Sequence, residues 1–101
     1  SRVSIQEKIN TEWVDSLGED QIAYLQKLSE STTILENTES AINQWIRNTA
    51  QDCKLETKVA FNTLYNLYLG KDKGPRLAAL LSALGKEQII APLTSVLNHL
   101  G

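Results

Sequence analysis

Apolar side chains recur at intervals of three and four residues along most of the chain, and no run sustains an alternation of apolar and polar positions. That is the periodicity of helices packed by one face. Ile5, Ile9 and Trp13, with Val14 and Leu17 beside them, predict a first helix that stops at Gly18. Glu19 and Asp20 suit the positive end of a second helix, whose apolar face is Ile22, Leu25 and Leu28. This helix should weaken over 29–33, Ser-Glu-Ser-Thr-Thr, where hydroxyl side chains compete for backbone groups. Thr38 is placed to cap a third helix, with Ile42, Trp45, Ile46, Thr49 and Cys53 along one stripe.

A fourth helix is predicted over 56–69. It is apolar almost all round, with Asn62, Thr63 and Asn66 as a narrow polar strip, the pattern of a central helix with neighbours on several sides. Gly70 can close it in a left-handed conformation. Gly74 then reads as the cap, and Pro75 as the first residue, of a fifth helix carrying Leu77, Leu80, Leu81 and Leu84. Gly85 ends that helix. A sixth carries Ile89, Leu93, Val96, Leu97 and Leu100 on one stripe, and Pro92 inside the pattern predicts a kink or a fresh start. The fold class is all-α: one compact domain, a bundle of five or six short helices, with 1–37 holding its N-terminal helices.

Composition narrows the chemistry. The 101 residues, 42% of them hydrophobic, suffice for one core, and no apolar run is long enough to span a membrane. Cys53 is the only cysteine, which excludes an internal disulfide and a multi-cysteine zinc site and is compatible with a reducing cytosol. Its place on an apolar stripe reads as a buried, inert thiol. His99, the only histidine, has no Cys, Asp or Glu at ligand spacing, so no metal site is expected. Acid pairs such as Glu19 and Asp20 are explained by helix dipoles, and no strand-flanked glycine loop cradles a phosphate. No catalytic residue is assigned. Methionine is missing even at position 1, which implies a processed chain or a piece of a longer one.

The net charge of −2 hides an asymmetry. Residues 1–53 hold nine acids and four bases, a net of −5, whereas 54–101 hold six bases and three acids, a net of +3. Three of those bases, Lys71, Lys73 and Arg76, cluster around the turn that opens the fifth helix. An anion there would meet both cations and the positive end of the helix, and a nucleic-acid phosphate fits that layout. A helix corner whose lysines serve only solubility is the other reading. The aromatics Trp13, Tyr24, Trp45, Phe61, Tyr65 and Tyr68 could stack on unpaired bases or fill the core; Tyr65 and Tyr68 are the better stacking candidates, because a phenol tolerates a wet edge. Asn62 and Asn66 carry suitable donors and acceptors, with solvation of the helix surface as their expected role.

The stretch from Lys58 to Leu77, with Phe61, Leu64-Tyr65, Leu69-Gly70-Lys71 and Gly74-Pro75-Arg76-Leu77 followed by a leucine-rich helix, resembles the end of class I lysyl-tRNA synthetases. Leu84-Gly85-Lys86-Glu87 is similar to the same family and to the related glutamyl-tRNA synthetases, and the resemblance extends over 38–100. Tyr65 and Arg76 favour the lysyl family. The resemblance implies a helical anticodon-binding domain that grips tRNA(Lys) while a separate catalytic body performs aminoacylation. That body's ATP signatures are absent from this sequence, so ATP and lysine would bind elsewhere and the chain needs no cofactor of its own. The implied partners are tRNA and the parent's catalytic domain, not a membrane or DNA, in the cytoplasm. Lys71, Lys73 and Arg76 would contact phosphates, and Tyr65, Tyr68 or Trp45 would support or stack on bases. The rival class is a helical protein-interaction module docking through its acidic N-terminal half. The RNA reading requires the cationic corner to face outward instead of being consumed by internal carboxylates.

Overall fold

The computed structural model describes residues 8–101, which form six α-helices: α1 (Thr11–Asp15), α2 (Glu19–Ser31), α3 (Glu39–Asp52), α4 (Thr57–Leu69), α5 (Leu77–Leu84) and α6 (Lys86–Leu100), with a 3-10 turn at Thr32–Ile34. No strand occurs among the described residues. The all-α expectation therefore holds, and five of the six helices begin or end within a residue or two of where the periodicity and caps place them.

One core joins all six helices. Leu25 and Leu28 of α2, Ile42 and Ile46 of α3, Leu64 and Leu67 of α4, Leu81 of α5 and Ile89 and Leu93 of α6 are fully or almost fully removed from solvent. Each such side chain contributes about 1.5–3 kcal/mol of transfer free energy. α4 packs on α2, α3 and α6, while α5 bridges α3 and α6. The polar groups inside are satisfied. Tyr24 donates its hydroxyl to the Ile46 carbonyl (2.9 Å) and Tyr68 donates to the Ile89 carbonyl (2.7 Å), tying α2 to α3 and α4 to α6. Burial disfavours the phenolate and pushes both tyrosine pKa values up, so both hydroxyls stay protonated donors. Thr63, expected on the polar strip, is fully buried; it donates to the Val59 carbonyl (2.8 Å) and accepts from Gln21 Nε2 of α2 (2.9 Å).

The local expectations divide. Thr38 does cap α3, accepting from the Ala41 amide (3.1 Å). α2 does give way at its hydroxyl-rich end, where Thr32 Oγ1 bonds the Ser29 carbonyl (2.8 Å). Gly70 does close α4 in the left-handed region, at φ 70°. The first helix is shorter than its apolar spacing implies. Asn10 caps it by accepting from the Trp13 amide (3.2 Å), which leaves Ile9 outside the helix, and Ile5 lies outside the described residues. Gly18 is not its stop. α1 ends at Asp15, and Gly18, extended at φ −76°, instead precedes α2 and donates its amide to Gln21 Oε1 (3.0 Å).

Neither Pro75 nor Pro92 opens a helix. α6 runs unbroken through Pro92, whose ring is buried; Gln88, the residue whose carbonyl loses its helical donor, is exposed to water. α5 begins at Leu77, with Arg76 at its cap position, so Gly74 and Pro75 belong to the preceding connector. The Tyr65 hydroxyl donates to the Pro75 carbonyl (2.7 Å) and ties this connector to α4. Lys54 takes a left-handed conformation (φ 57°) after α3, and bonds from Leu55 N to Ala50 O (2.9 Å) and from Lys54 N to Gln51 O (3.0 Å) complete a Schellman closure there.

Candidate nucleic-acid interface

The connector between α4 and α5, residues 70–76, is exposed at every position. Its form is imposed by side chains of the neighbouring helices. Asp72 Oδ1 accepts from Asn62 Nδ2 (3.1 Å) and Asn66 Nδ2 (3.0 Å), which share one face of α4 at helical spacing. Those two amide bonds, Asn66 foremost, hold the Asp72 carboxyl below its usual range, and the charge of Lys73 adds to the effect. Gly74 lies so close to α4 that an added Cβ would stand 2.6 Å from Leu69 Cδ1 and 3.3 Å from Tyr65 Cε1, so any larger residue would have to displace the Leu69 side chain. At the far end, Arg76 forms an exposed ion pair with Glu39 in the first turn of α3.

The three predicted cations are thus placed differently. Lys71 and Lys73 make no hydrogen bond and no close ion pair among the described residues, and both are exposed. Arg76 is exposed too, but its guanidinium is engaged by Glu39. The first amides of α5 receive no side-chain cap. The outward-facing corner required for the RNA reading is present at the two lysines and is partly neutralised at Arg76, while the first residues of α5, Leu77 and Ala78, are buried.

The predicted aromatics separate more sharply. Tyr65 is half-buried beside the connector and holds Pro75. Tyr68 is fully buried with its hydroxyl engaged by Ile89, so it offers no face to a base, and its place among the better stacking candidates is corrected. Trp45 is 8% exposed and its ring N–H donates to Ser31 Oγ (2.8 Å), next to the 3-10 turn. It lies on another side of α3 from the connector, lining a separate depression with Ile34 and Gln44.

A cleft of about 620 Å³ opens where α3, α4 and the start of α5 meet. Asn43 and Arg47 line it from α3, Phe61 and Tyr65 from α4, and Arg76 and Leu77 from the α5 start. Arg47 stacks its guanidinium over the Phe61 ring, 5.1 Å from the centroid. Sequence reasoning had counted Arg47 only as a charge and had not singled out Asn43. The volume falls in the range of sites for small ligands, and the lining offers a flat cation, an aromatic edge and an amide. That is chemistry suited to an unpaired base beside phosphate-binding lysines.

Among the described residues no group of three or more His, Cys, Asp or Glu side chains could hold a metal. His99 Nε2 does meet Asp15 Oδ1 (2.8 Å), a contact that joins the end of α6 to α1. Cys53 is half-buried at the end of α3 and its sulfur forms no disulfide. Among the described residues, no helix is long and apolar enough to cross a membrane.

Comparison with known proteins agrees with this geometry. The family model described as "Anticodon binding domain" matches residues 2–97. A lysine–tRNA ligase of Thermoplasma volcanium is 35% identical over 81% of this chain and 16% of its own length. A lysine–tRNA ligase of Methanococcus maripaludis is 34% identical over 78% of this chain and 15% of its own length. A glutamate–tRNA ligase of Wolbachia pipientis is 36% identical over 54% of this chain and 12% of its own length. The chain therefore spans about a sixth of the length of these lysine–tRNA ligases. No solved structure matches it significantly. By the match over nearly its whole length, and with a helical bundle and an exposed cationic corner to go with it, the chain belongs to the anticodon binding domain family.

Proposed function

We propose that this chain is the anticodon-binding domain of a lysine–tRNA ligase and that it holds the anticodon end of tRNA(Lys) while a catalytic body elsewhere in the parent protein, in the cytoplasm, charges the RNA. The observation that carries the reading is the α4–α5 connector: two exposed lysines with no hydrogen bond or close ion pair, set on a turn fixed by side chains of α4, beside a cleft large enough to admit a base. Lys71 and Lys73 contact phosphates of the anticodon stem or loop. The cleft receives an unpaired base against Arg47, Phe61 and Tyr65, with Asn43 supplying a donor and an acceptor to its edge. Arg76 joins the phosphate contacts by exchanging Glu39 for RNA. The Thermoplasma volcanium and Methanococcus maripaludis lysine–tRNA ligases match 81% and 78% of the chain and the Wolbachia pipientis glutamate–tRNA ligase 54%, which favours the lysine anticodon.

Few cations are involved, so binding by this domain is weak and sensitive to salt. Titration of an RNA stem-loop bearing the lysine anticodon, at two salt concentrations, tests the reading. Binding that weakens as salt rises and exceeds that of an unrelated stem-loop supports it. Equal affinity for both loops removes the specificity, and absence of binding at low salt removes RNA recognition altogether.

A further inference from the structure

Asp72 lies between Lys71 and Lys73, where a carboxylate on an exposed turn would be drawn to either ammonium group. It makes no hydrogen bond or close ion pair with either, although the charge of Lys73 still acts on it. Its Oδ1 is taken by two neutral donors, Asn62 Nδ2 at 3.1 Å and Asn66 Nδ2 at 3.0 Å, from successive turns of α4. Asn66 Nδ2 is itself held to the Asn62 carbonyl at 3.0 Å, so the pair is fixed to the helix before it meets the connector. Among the described residues these are the only side-chain hydrogen bonds that residues 71–73 make. We propose that Asn62 and Asn66 are positioning residues for RNA binding: by holding the Asp72 carboxylate against α4 they keep it from pairing with Lys71 and Lys73, and they leave both ammonium groups ready for phosphate. The inference rests on the RNA-binding function proposed above.

The arrangement has a further consequence. Amides neutralise no charge, so the clamp fixes the carboxylate without recruiting either lysine to hold it. A lysine used in place of either asparagine would also hold Asp72, but a carboxylate left unclamped would compete with phosphate for Lys71 and Lys73, and the turn would have to be ordered anew on binding.

The test combines Asn62→Ala with Asn66→Ala; alanine favours the helix and neither asparagine is buried, so the fold is retained. Affinity for the lysine-anticodon stem-loop should fall about fivefold, the scale of one or two exposed ionic contacts. Adding Asp72→Asn to that double variant should restore most of the loss, because the competing carboxylate is gone. Wild-type affinity in the double variant, or a loss that Asp72→Asn does not rescue, would overturn the proposal; in the latter case the asparagines only stiffen the turn. Carbon NMR of the Asp72 carboxyl separates this failure from that of the RNA reading. In the intact clamp the carboxyl titrates below its ordinary range, and in the double variant it moves up toward that range. A wild-type protein with the depressed titration and no RNA binding would retain the clamp and refute its role in RNA recognition.

Discussion

Residues 32–38 join α2 to α3 and residues 70–76 join α4 to α5, connectors of equal length built on opposite principles. The first closes on itself. It buries Thr32 and Leu35, bonds Leu35 N to Thr32 O (3.2 Å) and Thr38 N to Glu36 O (3.0 Å), and receives Lys86 Nζ from α6 on the Thr33 carbonyl (3.2 Å). Its only ionisable side chain is Glu36. The second buries none of its residues, and among the described residues none of 71–76 donates a backbone bond to other backbone. It is held from outside, by Asn62, Asn66 and Tyr65 of α4 and Glu39 of α3. A turn that satisfies and buries its own groups has little left for a partner. A turn held by its neighbours keeps its amides and two cations available, at a fixed place.

The comparison can be broken most severely by removing the support beneath both turns. Leu64 is fully buried in α4, and Leu64→Ala should cost about 2–5 kcal/mol of stability, measured by urea unfolding, with RNA binding lost as the bundle loosens. Lys71→Ala combined with Lys73→Ala should do the reverse. Stability should stay within about 0.5 kcal/mol, because neither side chain packs, while RNA affinity at low salt falls about tenfold. The slope of log affinity against log salt should shrink by about 1.4, two single-strand phosphate contacts. Lys86→Ala, in contact with the other connector, should leave that slope unchanged.

Smaller changes sharpen the contrast. Gly74→Ala drives a methyl into Leu69 and Tyr65 and should lift the turn from α4, reducing RNA affinity by a few fold, read in the same titration. Tyr65→Phe removes the bond to Pro75 and should cost about 0.5–1 kcal/mol in urea unfolding, toward the lower end because the bond is exposed. Ile34 in the first connector is 85% exposed, and Ile34→Ser should change neither stability nor RNA affinity beyond experimental error. A loss of RNA binding in Ile34→Ser would mean that the wrong connector has been assigned the contact.

Much of this was legible in the sequence because it depends on local spacing. The stripes of α2 to α6, the Thr38 cap and the Gly70 closure follow from periodicity and from single-residue backbone preferences. The family resemblance was carried by residues 38–100, where those elements lie. The start of α1 was not legible, because Ile5, Ile9 and Trp13 have helical spacing whether or not Asn10 interrupts it with a cap. Nor was the start of α5: Gly-Pro is a good helix opening locally, and the bond that ties Pro75 to α4 comes from the Tyr65 hydroxyl, ten residues away in sequence.

The site was half legible for the same reason. Lys71 and Lys73 could be placed on an exposed turn from sequence, but the Arg76–Glu39 pair spans 37 residues and leaves no local mark. The stack of Arg47 on Phe61 crosses from one helix to the next and is equally invisible. One signal was present and went unread. Asn62 and Asn66 mark the outward face of α4; Tyr65 lies about 60° from Asn62 around the helix, whereas Tyr68 lies about 160° from Asn66 on the far side. That geometry assigns Tyr65 to the connector and Tyr68 to the core, as found.

The central claim is that the α4–α5 connector, and not its counterpart between α2 and α3, meets RNA. Amide chemical-shift mapping of the labelled chain, titrated with a lysine-anticodon stem-loop at low salt, reads both at once. Shifts at Lys71 to Leu77, continuing to Asn43 and Arg47 in the cleft, with residues 32–38 unmoved, are the predicted result. Shifts confined to residues 32–38 and the depression beside Trp45, with the lysine connector silent, would contradict it.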